Sequence, residues 1–471
     1  MSTKPATNGH VTPTAILHRT PWRPPTAVSA EGMYITLDDG RTVIDGVGGA
    51  AVSCIGNGHP EVKKALKEQV DKMSYVYNMQ LSNQPAEELA KFLVESGNGA
   101  FELCGFVSGG SEAMEGVVKL ARQYYYETGQ LKRTNFIARQ LSFHGNTLGT
   151  LSLAHHPTRR APYEDILTHS CFHHVSPAYA VRFQKKGETE EEYVERLRKE
   201  LEDKFEELGP DTVIGFVAET VVGATTGVVP APKGYFPAMK SVCEKYGALF
   251  ILDEVMSGMG RMGTLHAWES FGDGAAPDIQ AVAKGLGGGE TPRYAAIGAI
   301  LMSKKVADGV RDTSGFWKHG HTYQANPLSC AASLAVQKVI VSENLLENCR
   351  TQGAYLSSLL RARLQSPNSL AAPFTFDIRG GGGFWGIEFD FTGPQAASVD
   401  FKGKSFAMLV QAKCLDKGLV AMGLTGGADV SGSKGDHMIL APAYNVTKEQ
   451  VGTIADLFVE SVEDVLKAHS T

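Results

Sequence analysis

Ile279-Gln280-Ala281-Val282-Ala283 is an apolar run of strand length, and within residues 275–290 it delivers one lysine, Lys284, into a turn of glycines, Gly285, Gly287, Gly288 and Gly289. A lysine after such a run stands where the chain leaves a buried sheet, at the edge that open α/β folds use for ligands. A lysine that opens a loop is ordinarily a solvated surface residue. At a buried strand end, desolvation depresses its pKa, and an amine that is neutral part of the time attacks a carbonyl to form a Schiff base. Lys233 is the rival for that role, but it follows Pro230-Ala231-Pro232 in a loop rather than a strand end.

Thirty-one residues before Lys284, a second apolar run over 247–252 ends on two acids, Asp253 and Glu254. A carboxylate at the end of a buried strand needs a cationic partner. Pyridoxal phosphate is a cofactor that calls for both groups in one pocket: a lysine for its aldehyde, and an Asp to keep its ring nitrogen protonated as an electron sink. It also needs a phosphate cradle. Ser108-Gly109-Gly110-Ser111-Glu112 opens a predicted helix whose apolar residues Met114, Val117, Val118, Ala121 and Tyr125 keep a spacing of three to four, and free N–H groups at a helix start bind anions. Ser111 also suits a plain N-cap, and the two readings are compatible.

SGGSEAMEGVVKLARQY, SFHGNTLGTLSL, ILDEVMSGMGRMG, AVAKGLGGG and GHTYQANPLSCAA, in this order and at these spacings, resemble the class III pyridoxal-phosphate aminotransferases. The likeness runs from YITLDDGRTVIDGVGG at Tyr34 to GDHMILAP at Gly435. It implies an α/β, aspartate-aminotransferase-like fold (fold type I), with a mostly parallel sheet in a large domain plus a smaller α+β domain. The implied division is a flexible N-terminal segment over 1–30, the N-terminal part of the small domain over 31–74, the large cofactor-binding domain over 75–325 and the C-terminal small domain over 326–471.

The resemblance also implies roles. Lys284 holds pyridoxal 5'-phosphate and shuttles the proton, and Asp253 faces the ring nitrogen. Gly110 and Ser111 take the phosphate, with Thr322 reaching it across a homodimer interface, so that the active site is built only by the pair. Phe143, with His144 beside it, stacks on one ring face and Val255 covers the other. Glu219 stands beside the cofactor, followed by Thr220 where the family often has Pro, and Phe143 stands where Tyr is frequent. The implied reaction is ping-pong transamination. Aminomutases, phospho-lyases, racemases and a decarboxylating transaminase share the scaffold.

Substrate preference starts from an absence. In the ornithine and acetylornithine branches a carboxylate-gripping arginine stands at the position of Ile439. The mobile arginine of many pyruvate-dependent amine transaminases falls on Gly432, with Lys434 the nearest cation, and lysine does not reproduce a bidentate fork. Gly223-Ala224 resembles the pyruvate-using branch rather than the Gln-Gly-Glu pattern of the aminobutyrate and ornithine branches. The expectation is a primary amine or ω-amino donor paired with a small oxo acid such as pyruvate.

Other classes are weaker. Gly258-Met259-Gly260-Arg261-Met262-Gly263 is a G-x-G-x-x-G with Asp278 twenty residues beyond its first glycine, a dinucleotide spacing that makes an NAD- or FAD-dependent oxidoreductase the rival. Its first glycine, however, is not at the turn leaving the strand, since Asp253 to Ser257 intervene. The histidines His155, His156, His169, His173 and His174 lack metal-ligand spacing, so no metal is expected. A net charge of −6 and the absence of a basic stripe with aromatic platforms argue against nucleic acid. No window of eighteen apolar residues signals a membrane span. The seven scattered cysteines read as reduced thiols of a cytoplasmic protein. A faint transit-peptide composition in the first thirty residues leaves the mitochondrion as the alternative.

Overall fold

The apolar runs pair into one central sheet. Its strands are β1 (Leu103–Val107), β2 (Asn135–Arg139), β3 (Phe172–Val175), β4 (Val213–Glu219), β5 (Leu249–Asp253), β6 (Ile279–Val282) and β7 (Gly298–Met302), in the order β1-β7-β6-β5-β4-β2-β3. β3, β2, β4, β5 and β6 are parallel to their neighbours, whereas β7 runs antiparallel to both β6 and β1. The sheet is therefore mostly parallel, as expected. In this computed structural model, residues 14–289 and 296–471 are described. Residues 1–13 of the expected N-terminal segment, and Glu290 at the end of the glycine-rich stretch, lie outside them.

Helices cover both faces, which is why β4, β5 and β6 are buried at every position and mostly apolar rather than alternating. On one face α1 (Gly110–Glu127) turns Met114, Val117, Ala121 and Tyr125 onto Ile251, Ile279 and Ile300. On the other, α2 (Glu190–Leu208) buries the stripe Tyr193, Leu197, Leu201 and Phe205 against Phe216 and Phe250. Thr189 and Glu192 close a reciprocal capping box at the start of α2.

The chain ends meet. Thr42–Asp45 pairs in a hairpin with Tyr34–Leu37, and also in parallel with Leu419–Val420. Ala27–Glu31, inside the stretch read as flexible, is a strand on the outer side of that hairpin. A separate antiparallel sheet contains Thr375–Gly381, Phe384–Phe389, Asp436–Leu440 and Met422–Thr425, packed by helices Leu345–Leu364, Phe406–Lys417 and Lys448–Ala468. A helix over Pro327–Ser342 ends just before Asn344, whose φ of +51° separates it from the helix Leu345–Leu364.

Candidate active site

Strand register assembles the site. Asp253, the last residue of β5, is paired with Glu219, the last of β4, and with Ala281 on β6, so both acids and the Lys284 turn emerge at one sheet edge. Lys284 opens a short 3-10 turn with a φ of +41°, a region that costs a residue with a Cβ and persists only where the surroundings over-determine it. Burial lowers its amine to about 8, against the opposing pull of the Asp253 and Glu219 charges. Lys233, by contrast, is exposed in its loop.

Asp253 is buried and both its oxygens are engaged. His144 Nδ1 donates to Oδ2 at 2.8 Å and the Val255 amide donates to Oδ1 at 3.0 Å. Since a carboxylate only accepts, the imidazole carries its hydrogen on Nδ1. The other ring nitrogen, Nε2, is buried with no partner among the described residues. Glu219 accepts from the Phe143 amide at 2.9 Å and the Gly223 amide at 3.1 Å, and burial raises its pKa. Arg139, 1% exposed at the end of β2, donates to the Glu219 carbonyl.

Glu254 has a different surrounding from the one expected. Among the described residues no cation pairs with it. Four neutral donors do the work instead: Thr220 Oγ1 at 2.9 Å, the Ala267 and Trp268 amides at 2.8 and 2.7 Å, and Gln280 Nε2 at 2.9 Å. Burial nevertheless pushes its carboxyl up to about 7. Thr220 is thereby explained: its hydroxyl serves Glu254 and its N–H serves the Asp253 carbonyl at 3.1 Å, a bond proline would lack.

The cradle lies beside these groups. Gly109 precedes α1 with no side-chain cap, leaving the first N–H groups of an eighteen-residue helix free. A Cβ on Gly110 would stand 2.6 Å from Val255 Cγ1, so only glycine lets the helix start approach the strand end. Ser111 Oγ accepts from the Asn146 amide at 3.1 Å. Phe143 carries the Arg159 guanidinium carbon 4.4 Å from its ring centroid.

The fold thus brings together Gly110, Ser111, Phe143, His144, Glu219, Asp253, Val255 and Lys284. Thr322 stands apart. It is exposed, on a loop tied to the cradle by a 3.0 Å hydrogen bond between His321 Nε2 and Ser108 Oγ, with its carbonyl accepting from Tyr75 at 2.9 Å. Arg139, Asn146, Arg159 and Gln280 were not singled out from sequence. Arg139 had the same signal as Asp253, a charge closing an apolar run.

These residues fit pyridoxal phosphate. The partnerless Nε2, the glycine-shaped cradle with free N–H groups, a partly neutral lysine and an anionic Asp at one sheet edge supply what its aldehyde, phosphate and ring nitrogen require. The 258–263 loop does not resemble a dinucleotide loop. A Cβ at Gly260 would meet Tyr444 at 2.8 Å, and Arg261 donates to the Pro442 carbonyl at 2.6 Å, so protein fills its surroundings. The histidines disperse as well. His155 and His174 stack edge-on at 5.4 Å, and among the described residues no three His, Cys, Asp or Glu side chains gather as for a metal. No described helix is long and apolar enough to cross a membrane.

A family model described as aminotransferase class-III matches residues 21–462. An uncharacterized aminotransferase of Schizosaccharomyces pombe is 41% identical over 95% of this chain and 94% of its own length. A chloroplastic gamma aminobutyrate transaminase of Solanum lycopersicum is 30% identical over 96% of this chain and 83% of its own. The omega transaminase of Pseudomonas jessenii, solved in complex with PMP, aligns with a TM-score of 0.84 at 28% identity, covering 95% of this chain and 94% of that one. Likeness over this span shows the expected fold type I architecture.

Proposed function

Since this chain belongs to the class III aminotransferases, which use pyridoxal phosphate, we propose that it moves an amino group from a primary amine or ω-amino donor to a small oxo acid such as pyruvate, in ping-pong fashion. When bound, the cofactor supplies the carbonyl that takes the amine and the ring that stores the electron pair. Lys284 Nζ would hold the cofactor's aldehyde and would take up and return the substrate proton, roles its lowered pKa suits. Asp253 would accept from the ring nitrogen's N–H and so keep it protonated, and His144 orients Asp253 from Nδ1. Phe143 and Val255 hold the ring between them, and Glu219 fixes the Phe143 backbone. Gly110 and Ser111 bind the phosphate.

Thr322 joins that phosphate site from the second subunit of a homodimer. The reading is supported by the exposed Tyr75, Tyr77, Met79, Leu81 and Tyr323 gathered about its loop, an apolar patch of the kind that marks an interface. In this reading the cofactor domain spans 75–325, and the smaller domain draws on 31–74 and 326–471.

The observation that carries the donor preference is Ile439. It is fully buried in a strand, between Gly386 and Met422, where a guanidinium clamp for an α-carboxylate would have to project. Donors without an α-carboxylate are therefore favoured. The test is a two-substrate assay across primary amines, ornithine and acetylornithine, each with pyruvate and with 2-oxoglutarate. Parallel-line kinetics with amine and pyruvate is the expected result. A higher kcat/KM for ornithine or acetylornithine with 2-oxoglutarate than for every primary amine with pyruvate refutes the preference, and turnover of a single substrate refutes transamination.

A further inference from the structure

The reading above leaves the acceptor's carboxylate without a partner, and an anion entering a half-buried site needs one. Most arginines around this edge are already committed. Arg139 serves the Glu219 carbonyl, Arg160 serves the Ser152 and Ala154 carbonyls and Glu164, and Arg261 serves the Gly383 and Pro442 carbonyls. Arg159 is different. It is half-buried and its guanidinium lies on the Phe143 ring, yet among the described residues that guanidinium makes neither a hydrogen bond nor an ion pair, the residue's backbone N–H donating instead to the His156 carbonyl. Five N–H donors in a fixed fork are thus unspent beside the cofactor-stacking ring.

The surroundings point the same way. Burial, and then the charge of the exposed Arg19, hold Arg159 below its usual pKa, while Glu219 pulls the other way. Lys284 in turn feels the Arg159 charge. Arg159 and Arg19 thus repel one another, and an anion bound at the Arg159 fork relieves that repulsion. The neighbouring wall is close: a Cβ on Gly432 would stand 3.3 Å from Pro157, which opens the turn carrying Arg159.

We propose that Arg159 is the specificity residue that binds the carboxylate of the oxo acid acceptor, and of the amino acid formed from it, with its guanidinium carried on the Phe143 ring. This rests on the transaminase reading above. A donor amine without a carboxylate makes no use of the fork, so the two half-reactions depend on Arg159 unequally.

The test uses cofactor-loaded full-length wild type, Arg159→Gln and Arg159→Lys. The butylamine and pyruvate half-reactions are followed separately by absorbance, and binding of propionate, a carboxylate with no reactive carbonyl, is measured by calorimetry. Arg159→Gln is expected to weaken pyruvate and propionate by roughly tenfold or more relative to the butylamine half-reaction of the same variant, the loss of a charge-assisted pair. Arg159→Lys is expected to recover part of it, since it keeps the charge without the fork. Pyruvate and propionate binding within about twofold of wild type in folded Arg159→Gln, or an equal loss in both half-reactions, overturns the proposal. A wild type that ignores butylamine overturns the donor reading alone, and the propionate titration still decides Arg159.

Discussion

Replacing Asp253 with Asn isolates its charge. In the native site Oδ1 receives the Val255 amide at 3.0 Å and Oδ2 receives His144 Nδ1 at 2.8 Å. An asparagine keeps the first bond through its amide oxygen. Its NH2 group then faces Nδ1, which accepts if the imidazole moves its hydrogen to Nε2, an atom with no partner to lose among the described residues. Geometry and size survive, and what disappears is one negative charge in a residue 4% exposed. A unit charge pair about 4 Å apart at an effective dielectric near 20 is worth about 4 kcal/mol. At about 1.36 kcal/mol per tenfold that corresponds to a loss of about a thousandfold in kcat. The assay pairs kcat with cofactor content after dialysis. The variant is expected to retain cofactor while losing turnover. Activity within about tenfold of wild type would mean that the Asp253 charge does not stabilise the ring, and the mechanism above would fail.

Four further outcomes follow from the same geometry. Lys284→Ala is expected to fold but to release cofactor on dialysis, and borohydride reduction of the wild type followed by peptide mapping should label Lys284; label on Lys233 reverses the assignment. Because burial lowers Lys284 to about 8, it is charged below that pH and nucleophilic above it, so cofactor uptake by apoenzyme should quicken as pH rises from 6 towards 8 and then level off, and a rate that falls over this range contradicts the assignment. Glu254 has a carboxyl raised from 4.5 to about 7 by burial, so the folded state binds a proton that the unfolded state has lost: its contribution is full below about 4.5 and gone above about 7, a decline on the order of 3 kcal/mol that Glu254→Gln should abolish in a denaturant titration across that window. Gly110→Ala sets a Cβ 2.6 Å from Val255 Cγ1 and should weaken cofactor retention while leaving the melting temperature within a few degrees of wild type; unchanged retention removes Gly110 from the cradle.

The parallel core was legible because strands buried on both faces are mostly apolar, and 249–252 and 279–282 are so but for Gln280. Other strands were not, and two show why. Leu103–Val107 begins with an exposed leucine and pairs antiparallel at the sheet edge, and Thr375–Gly381 interrupts its pattern with Asp377, Arg379 and two glycines. Neither carries a period that a single sequence displays. Arg379 is inside that strand because Glu388, on the neighbouring strand, receives its guanidinium at 2.7 Å, a partner visible only once the strands pair.

The sequence by itself determined the chemistry that is local: a lysine after a buried run, an acid closing another, and a glycine-serine helix start, each set by residues adjacent in the chain. Only the tertiary structure decided what depends on register and distance. Asp253 is tied to His144, 109 residues away. Glu254 is surrounded by neutral donors rather than a cation, and Arg159 lies on Phe143 while its neighbour Arg160 is tied into backbone carbonyls. Nothing in the string Thr-Arg-Arg-Ala tells those two arginines apart. Their environments differ because a turn buries one among carbonyls and lays the other on an aromatic ring, and a charge takes its meaning from the partners that the fold places around it.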